Sequence, residues 1–423
     1  MMLTYFALAA FAVALLVGSP IWAALAVGGC IISLFVVGIP MQSIVSQLFI
    51  SIDSWLLLAV PYFLFAGNLM THLGLAGRLF RFIESLLGHM RGGLPATGVV
   101  TCAIFGALSG SSTATVVAVG SMLLPHMLAA GYKKQDALGV IAVSGTLGQM
   151  IPPSIYMILF ASLVQMDVSK LFLAGIAPGI VITIFLSATA VVLSFIGGQR
   201  TRTRAPASEV WRTFVAALPA LAMPLIVLGG IYAGVFTPTE AAAVAVGYVL
   251  VFSLIFERRQ FTFKRIVECA ESAAVTTAVI FIILGGATIF ASALTFADVP
   301  QAFTRVMTSL PVGDTTTMAM ILLIFVLLGT ILDPVPILYI TIPIVFPVVQ
   351  ALGFPPTHFA ILTVCCMMIA QVTPPIGMSL FALGGFFNTP ITVVARGAMP
   401  YLAALVLALF VLWQVPEISL LTQ

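Results

Sequence analysis

Apolar residues run along this chain in long blocks, with polar positions gathered between them. The blocks fall at 3–18, 20–39, 54–71, 136–165 and 171–196, and again at 213–234, 239–256, 272–295, 358–385 and 391–415. A helix needs roughly 17–25 predominantly apolar residues to cross the hydrocarbon core of a bilayer. Each set of five also holds an apolar stretch interrupted midway by a polar or helix-breaking tip. In 93–130 the tip is Ser109-Gly110-Ser111-Ser112-Thr113, and in 314–352 it is Asp333-Pro334-Val335-Pro336. Each arm of these stretches is short of a full span or polar at its end. That pattern predicts two re-entrant hairpins rather than further crossings.

The two sets are copies. Gln149-Met-Ile-Pro152-Pro153 and Gln371-Val-Thr-Pro374-Pro375 lie 222 residues apart, and the same offset pairs Pro125 with Pro347, Gly175 with Gly397 and Pro178 with Pro400. Upstream, Pro20, Ala23, Ala24 and Gly29 align with Pro238, Ala241, Ala242 and Gly247 at an offset of 218, and Gly106 aligns with Gly329. A proline inside a helix removes a backbone donor and breaks the ladder. Bare backbone at membrane depth persists only where it is buried in protein or lines a cavity. The doublets therefore predict two broken helices, 136–165 and 358–385, at matched positions. Broken helices in matched halves are the sequence mark of a transporter's binding site. Five crossings per unit is odd, so the second unit is expected to be inverted. The predicted fold class is an all-α polytopic membrane protein of two inverted repeats, 1–198 and 213–423, joined by a basic linker, 199–212.

Composition and charge agree with this. The chain is 61% hydrophobic and 7% charged, against about 25% charged in a soluble domain. A net charge of +3 offers nothing to a nucleic acid. With the N-terminus placed outside, fourteen of the sixteen Lys and Arg residues fall in predicted cytoplasmic segments, and only Lys170 and Arg305 fall outside. Basic residues concentrate on the cytoplasmic side, so a periplasmic N-terminus is expected. Met1 to Gly18 has no basic n-region and reads as a first span, not a cleaved signal. The five cysteines lack metal-ligand spacing and read as small apolar residues.

Between the spans, 73–91 sets Arg78, Arg81 and Glu84 on one face and Leu75, Leu79, Phe82 and Leu86 on the other. This predicts an interfacial amphipathic arm helix, with 300–309 as its weaker counterpart. Thr237-Pro238-Thr239-Glu240 has the spacing of a capping box with proline in the first turn. His126 and His358 are expected near hairpin ends, beside water, in structural roles.

Two groups of residues offer chemistry. The first tip is rich in hydroxyls, and hydroxyls with freed carbonyls are the hard ligands that a dehydrated Na⁺ accepts. In the second, Asp333 is an acidic residue within an apolar block, which is a functional candidate by default; its alternative is to cap a neighbouring backbone N–H. Thr373 and Gly377 stand on the broken helix opposite. A serine hydrolase is excluded on reach, because a nucleophile needs a base within hydrogen-bond distance. His126 lies fourteen residues beyond Ser112, about 21 Å along a helix. The chain is not expected to be an enzyme, and two offset hairpins argue against a passive channel.

Gly106-Ala-Leu-Ser-Gly-Ser-Ser-Thr-Ala, Gly145-x-x-Gly-x-x-Ile-Pro-Pro-Ser154, Thr237-Pro-Thr-Glu-Ala-Ala and Thr373-Pro-Pro-x-Gly377 together resemble the large membrane subunit of tripartite ATP-independent periplasmic (TRAP) transporters, the DctM type. The resemblance covers essentially the whole chain. It implies an elevator-type secondary transporter of the inner membrane, driven by a Na⁺ gradient. It also implies a separate small membrane subunit of four helices and a periplasmic substrate-binding protein. That protein delivers an organic acid such as a C4-dicarboxylate, sialic acid or another sugar acid. By the same resemblance one Na⁺ is held at Ser109, Ser111, Gly148, Ile151 and Pro153. A second is held at Asp333, Val335, Thr373, Ile376 and Gly377. The substrate is expected between the tips, at Ser111, Ser112, Thr113, Pro334 and Met378. A stand-alone Na⁺- or H⁺-coupled elevator symporter, working without a binding protein, fits the repeats and hairpins equally well.

Overall fold

The computed structural model describes residues 17–197, 203–257, 261–309 and 311–420, with residues 9, 11, 13 and 14. Most of the predicted first span, and linker residues 199–202, lie outside the described residues. Among the described residues every regular element is a helix.

The first half begins with α1 (Ile21–Ile31), which follows Pro20 and continues as a π-helical stretch to Val37. Then come α2 (Met41–Ile52), α3 (Ala59–His72) and the amphipathic α4 (Leu75–Leu87). The hairpin is α5 (Gly93–Ser109) and α6 (Ser112–Ala129). The broken helix is α7 (Lys134–Ser144), a 3₁₀ turn over Gly145–Gln149, and α8 (Ile155–Val164); α9 (Val168–Ile196) completes the half.

The second half has α10 (Ala207–Tyr232), α11 (Pro238–Phe256), α12 (Phe263–Phe296) and the short α13 (Val299–Ser309). Its hairpin is α14 (Asp314–Gly329) with α15 (Pro334–Ala351), and its broken helix is α16 (Pro356–Gln371) with α17 (Met378–Phe386). α18 (Ile391–Gln414) and the single turn α19 (Glu417–Leu420) close the described chain.

Seven of these helices are long and apolar enough to cross a membrane, so the protein is a polytopic membrane protein. They include α6 and α15, each of 18 residues. The second arm of each hairpin is thus longer than the sequence suggests. Pro125, and Pro343 with Pro347, sit inside those arms without ending them, as buried membrane helices tolerate.

Helices at corresponding positions in the two halves exchange partners. α1 packs on α12, and α11 packs on α3. α6 packs on α17, and α15 packs on α8. Each pair is one contact seen twice, once from either half. Small residues allow the closest crossings, because they let backbones approach. A methyl group added at Gly139 of α7 would collide with the backbone of Gly397 in α18.

Four expectations are corrected. α2 is a helix that the hydrophobic blocks do not mark. Gln and Ser interrupt its apolar residues at short spacing, so no long apolar run betrays it, and only Ile44 is buried. α12 starts near residue 263 rather than 272 and is 34 residues long; its first turns carry Lys264, Arg265, Glu268 and Glu271, which mimic a loop. On α4 the buried stripe is Leu75, Ala76, Leu79, Phe80 and Ile83, whereas Leu86 is 48% exposed. The helix packs on α5 and α10 rather than on lipid alone, meeting α10 through Arg78, Phe82 and Ser85. His358 is buried, with Nδ1 2.6 Å from Ser419 Oγ, and does not face water.

The capping box at Thr237 is complete. Thr237 Oγ1 accepts from the Glu240 N–H at 3.3 Å, and Glu240 Oε2 accepts from the Thr237 N–H at 2.8 Å.

Candidate functional site

The first hairpin tip turns at Gly110, whose φ of +59° suits glycine. Ser111 caps α6, its Oγ accepting from the Ala114 N–H at 3.4 Å. Ser109 is buried, with Oγ 2.9 Å from Thr115 Oγ1, and the Thr115 hydroxyl donates to the Ser111 carbonyl at 2.7 Å. Ser111 and Thr113 share a hydroxyl contact of 3.1 Å, and Thr113 is exposed.

This tip lies against the first break. A methyl group at Gly106 would stand 2.5 Å from the Cα of Gly148. Gly148 is buried within the 3₁₀ turn, Ile151 packs on Gly179 of α9, and Pro152 and Pro153 are buried.

The second tip is Thr330 to Asp333. Pro334, Val335 and Pro336 belong to the first turn of α15, not to the tip. Proline suits a first turn because the missing N–H would be unpaired there anyway. Asp333 is the cap of that helix: Oδ2 accepts from the Val335 N–H at 3.3 Å. The capping alternative is therefore what its carboxylate does here.

This tip meets the second break. The Thr330 carbonyl accepts from the N–H groups of Ile376 and Gly377, at 3.3 and 3.4 Å. A methyl group at Gly329 would stand 2.5 Å from Ala370 Cβ. Gly329 with Ala370 repeats Gly106 with Gly148, at offsets of 223 and 222. Thr373 Oγ1 donates to the Ile369 carbonyl at 2.7 Å. Gly377 takes a φ of +55°. Unlike the first doublet, Pro374, Pro375 and Ile376 are exposed.

Between the breaks lies a buried polar bridge. Gln149 Nε2 donates to Gln371 Oε1 at 2.5 Å, and Ser379 Oγ donates to the same oxygen at 3.4 Å. Ser379 Oγ also lies 3.1 Å from Ser112 Oγ. Ser112 of the first tip thus meets Ser379, the chain neighbour of Met378, across the halves. The two glutamines and Ser379 carry no role in the sequence reading. The signal was present, since each glutamine precedes its proline doublet at the same spacing.

A family profile described as "Tripartite ATP-independent periplasmic transporter, DctM component" matches residues 8–418. The chain belongs to this family. Among its relatives, the C4-dicarboxylate TRAP transporter large permease protein DctM of Pseudomonas aeruginosa is 36% identical over 90% of this chain and 88% of its own length. The ectoine/5-hydroxyectoine TRAP transporter large permease protein UehC of Ruegeria pomeroyi is 35% identical over 96% of both chains. The crystal structure of the Alcanivorax borkumensis YdaH transporter, described as having an unusual topology, superposes with a TM-score of 0.62. It covers 89% of this chain and 87% of its own at 14% identity, a likeness of fold. As a DctM-type protein the chain is the large membrane permease of a TRAP transporter.

Proposed function

We propose that this permease imports an organic acid by Na⁺-coupled elevator transport, as part of a three-component system. The observation that carries the reading is the doubled tip-to-break contact, Gly106 on Gly148 and Gly329 on Ala370. The first sets the end of α5 against the unravelled Gly145–Gln149 turn. Beside the second, the Thr330 carbonyl of the tip accepts from the Ile376 and Gly377 N–H groups of the break. Bare backbone within a membrane is tolerated only where it is buried in protein or lines a cavity. Na⁺ would sit at Ser109, Ser111, Gly148, Ile151 and Pro153 in one half. In the other it would sit at Asp333, Val335, Thr373, Ile376 and Gly377. The substrate would lie beside Ser111, Ser112, Thr113, Pro334 and Met378, over the Gln149–Gln371 bridge.

Hairpins and broken helices would form the moving unit. The surrounding helices α1, α3, α10, α11 and α12 would form the fixed frame, and α4 and α13 the arms. The partners would be a small four-helix membrane subunit and a periplasmic binding protein, with the permease in the cytoplasmic membrane and its N-terminus periplasmic. C4-dicarboxylates, sialic acid and other sugar acids are the leading cargo, and the names of the relatives add ectoines.

Reconstitution of permease, small subunit and loaded binding protein into liposomes tests this. An inward Na⁺ gradient should drive accumulation. Equal uptake with K⁺ in place of Na⁺, or without the binding protein, would contradict the proposal.

A further inference from the structure

A cavity of about 810 Å³ opens where α4 meets the chain leading into α10. Arg78, Arg81, Arg204 and Arg212 line it, opposed by Glu84 and Glu209. Arg78 already faces Glu257, and Glu84 already faces His126. Within the cavity this leaves three guanidinium groups, those of Arg81, Arg204 and Arg212, against the two carboxylates of Glu84 and Glu209. The hydroxyls of Ser85 and Thr213, 2.8 Å apart, lie on the same wall. Arginine forks with hydroxyls beside them are the donor set that phosphate oxygens use.

A second cavity, of about 680 Å³, adjoins the first and shares Ser85, His89, Arg204, Ala205 and Pro206 with it. Its remaining walls are apolar: Phe82, Leu86, Val210, Trp211 and Phe214. The rings of Phe82 and Trp211 both pack on Phe214, at 5.3 and 5.6 Å between centroids. Trp211 is nonetheless 66% exposed and Leu86 48%. A cationic recess that runs into an aromatic groove matches one kind of molecule, an acidic head on an alkyl chain. A free phosphate would leave the groove bare, and an apolar helix from another protein would leave the arginines without a counter-charge.

We propose that the cleft between α4 and the start of α10 binds an anionic phospholipid, phosphate among Arg81, Arg204 and Arg212, and an acyl chain along Phe82, Trp211 and Phe214. Amphipathic helices and basic clusters at the membrane surface are drawn to acidic lipids by these same two forces. The lipid would wedge the amphipathic α4 against a long helix of the second half.

Fluorescence quenching of the purified full chain by lipids brominated on the acyl chain reads this site, with Trp211→Phe isolating the Trp211 component. Brominated phosphatidylglycerol should quench Trp211 at concentrations well below those needed with brominated phosphatidylcholine. That preference should shrink by roughly fivefold for each arginine removed in R81Q, R204Q and R212Q. R212Q alone serves if the triple variant fails to fold. Equal quenching by both headgroups would overturn the proposal. Complete displacement of the lipid by millimolar inorganic phosphate would assign the cavity to a free anion instead. Protection of Trp211 from both lipids by the co-purified small subunit would assign the groove to a protein.

Discussion

Gln149 and Gln371 stand 222 residues apart in sequence and touch in the structure, Nε2 of one donating to Oε1 of the other over 2.5 Å. The separation equals the repeat offset. Two equivalent residues in contact must straddle the axis that relates the halves. Their amides are buried, and Gln149 Oε1 has no further partner among the described residues. Removing Gln371 strands the Gln149 amide, at a cost of roughly 1–3 kcal/mol, whereas removing Gln149 leaves Gln371 its contact with Ser379. Gln149→Leu and Gln371→Leu should each lower the thermal midpoint of the detergent-purified protein. The double variant should fall no lower than the worse single, because the pair interacts directly.

The glycine contacts make a sharper steric prediction. At Gly139 an added methyl group meets the backbone of Gly397, whereas at Gly247 it meets nothing within 4 Å. Alanine is otherwise the better helix former by about 1 kcal/mol. Gly139→Ala should therefore cut the yield of folded protein, and Gly247→Ala should leave it unchanged or raise it. Size-exclusion profiles of the two variants in the same detergent decide the matter.

Asp333 both caps α15 and carries the one charge at the second tip. Asparagine preserves an acceptor for the Val335 N–H and deletes the charge. Asp333→Asn should fold normally and need roughly tenfold more Na⁺ for half-maximal uptake, the equivalent of about 1.4 kcal/mol of lost attraction. An unchanged Na⁺ dependence would remove Asp333 from the cation site.

Arg78 ties α4 to the second half. Its guanidinium pairs with Glu257 and reaches the Ala216 carbonyl at 3.5 Å. Its side chain is 23% exposed and that of Glu257 13%, so the pair is partly screened. Its loss should cost less than the roughly 3–5 kcal/mol typical of fully buried pairs. Arg78→Glu should lower the thermal midpoint, and Arg78→Glu with Glu257→Arg should restore most of it.

The elements legible in the sequence are those fixed by local chemistry. The proline doublets announce both breaks, the Ser109–Thr113 run announces the first tip, and the Thr237 motif announces the start of α11. What stayed hidden depends on neighbours distant in sequence. α2 alternates Gln and Ser with apolar residues and buries only Ile44. The charged start of α12 resembles a loop because its side chains reach solvent. On α4, Phe80 and Ile83 are buried, Phe80 against His126 of α6, while Phe82 reaches Phe214 of α10 and Leu86 stays exposed. Of the site, each half is local and readable. The Gln149–Gln371–Ser379–Ser112 chain exists only once the halves meet.

The central claim is that each break, with its hairpin tip, holds one Na⁺. Equilibrium binding of ²²Na⁺ to the purified permease tests it without knowledge of the cargo. Two saturable sites per chain are predicted, with Asp333→Asn weakening one of them about tenfold and so leaving it largely empty at the Na⁺ concentration that half-fills it in the parent. Binding no greater than that displaced by K⁺, or the same occupancy in Asp333→Asn at that concentration, would contradict the account.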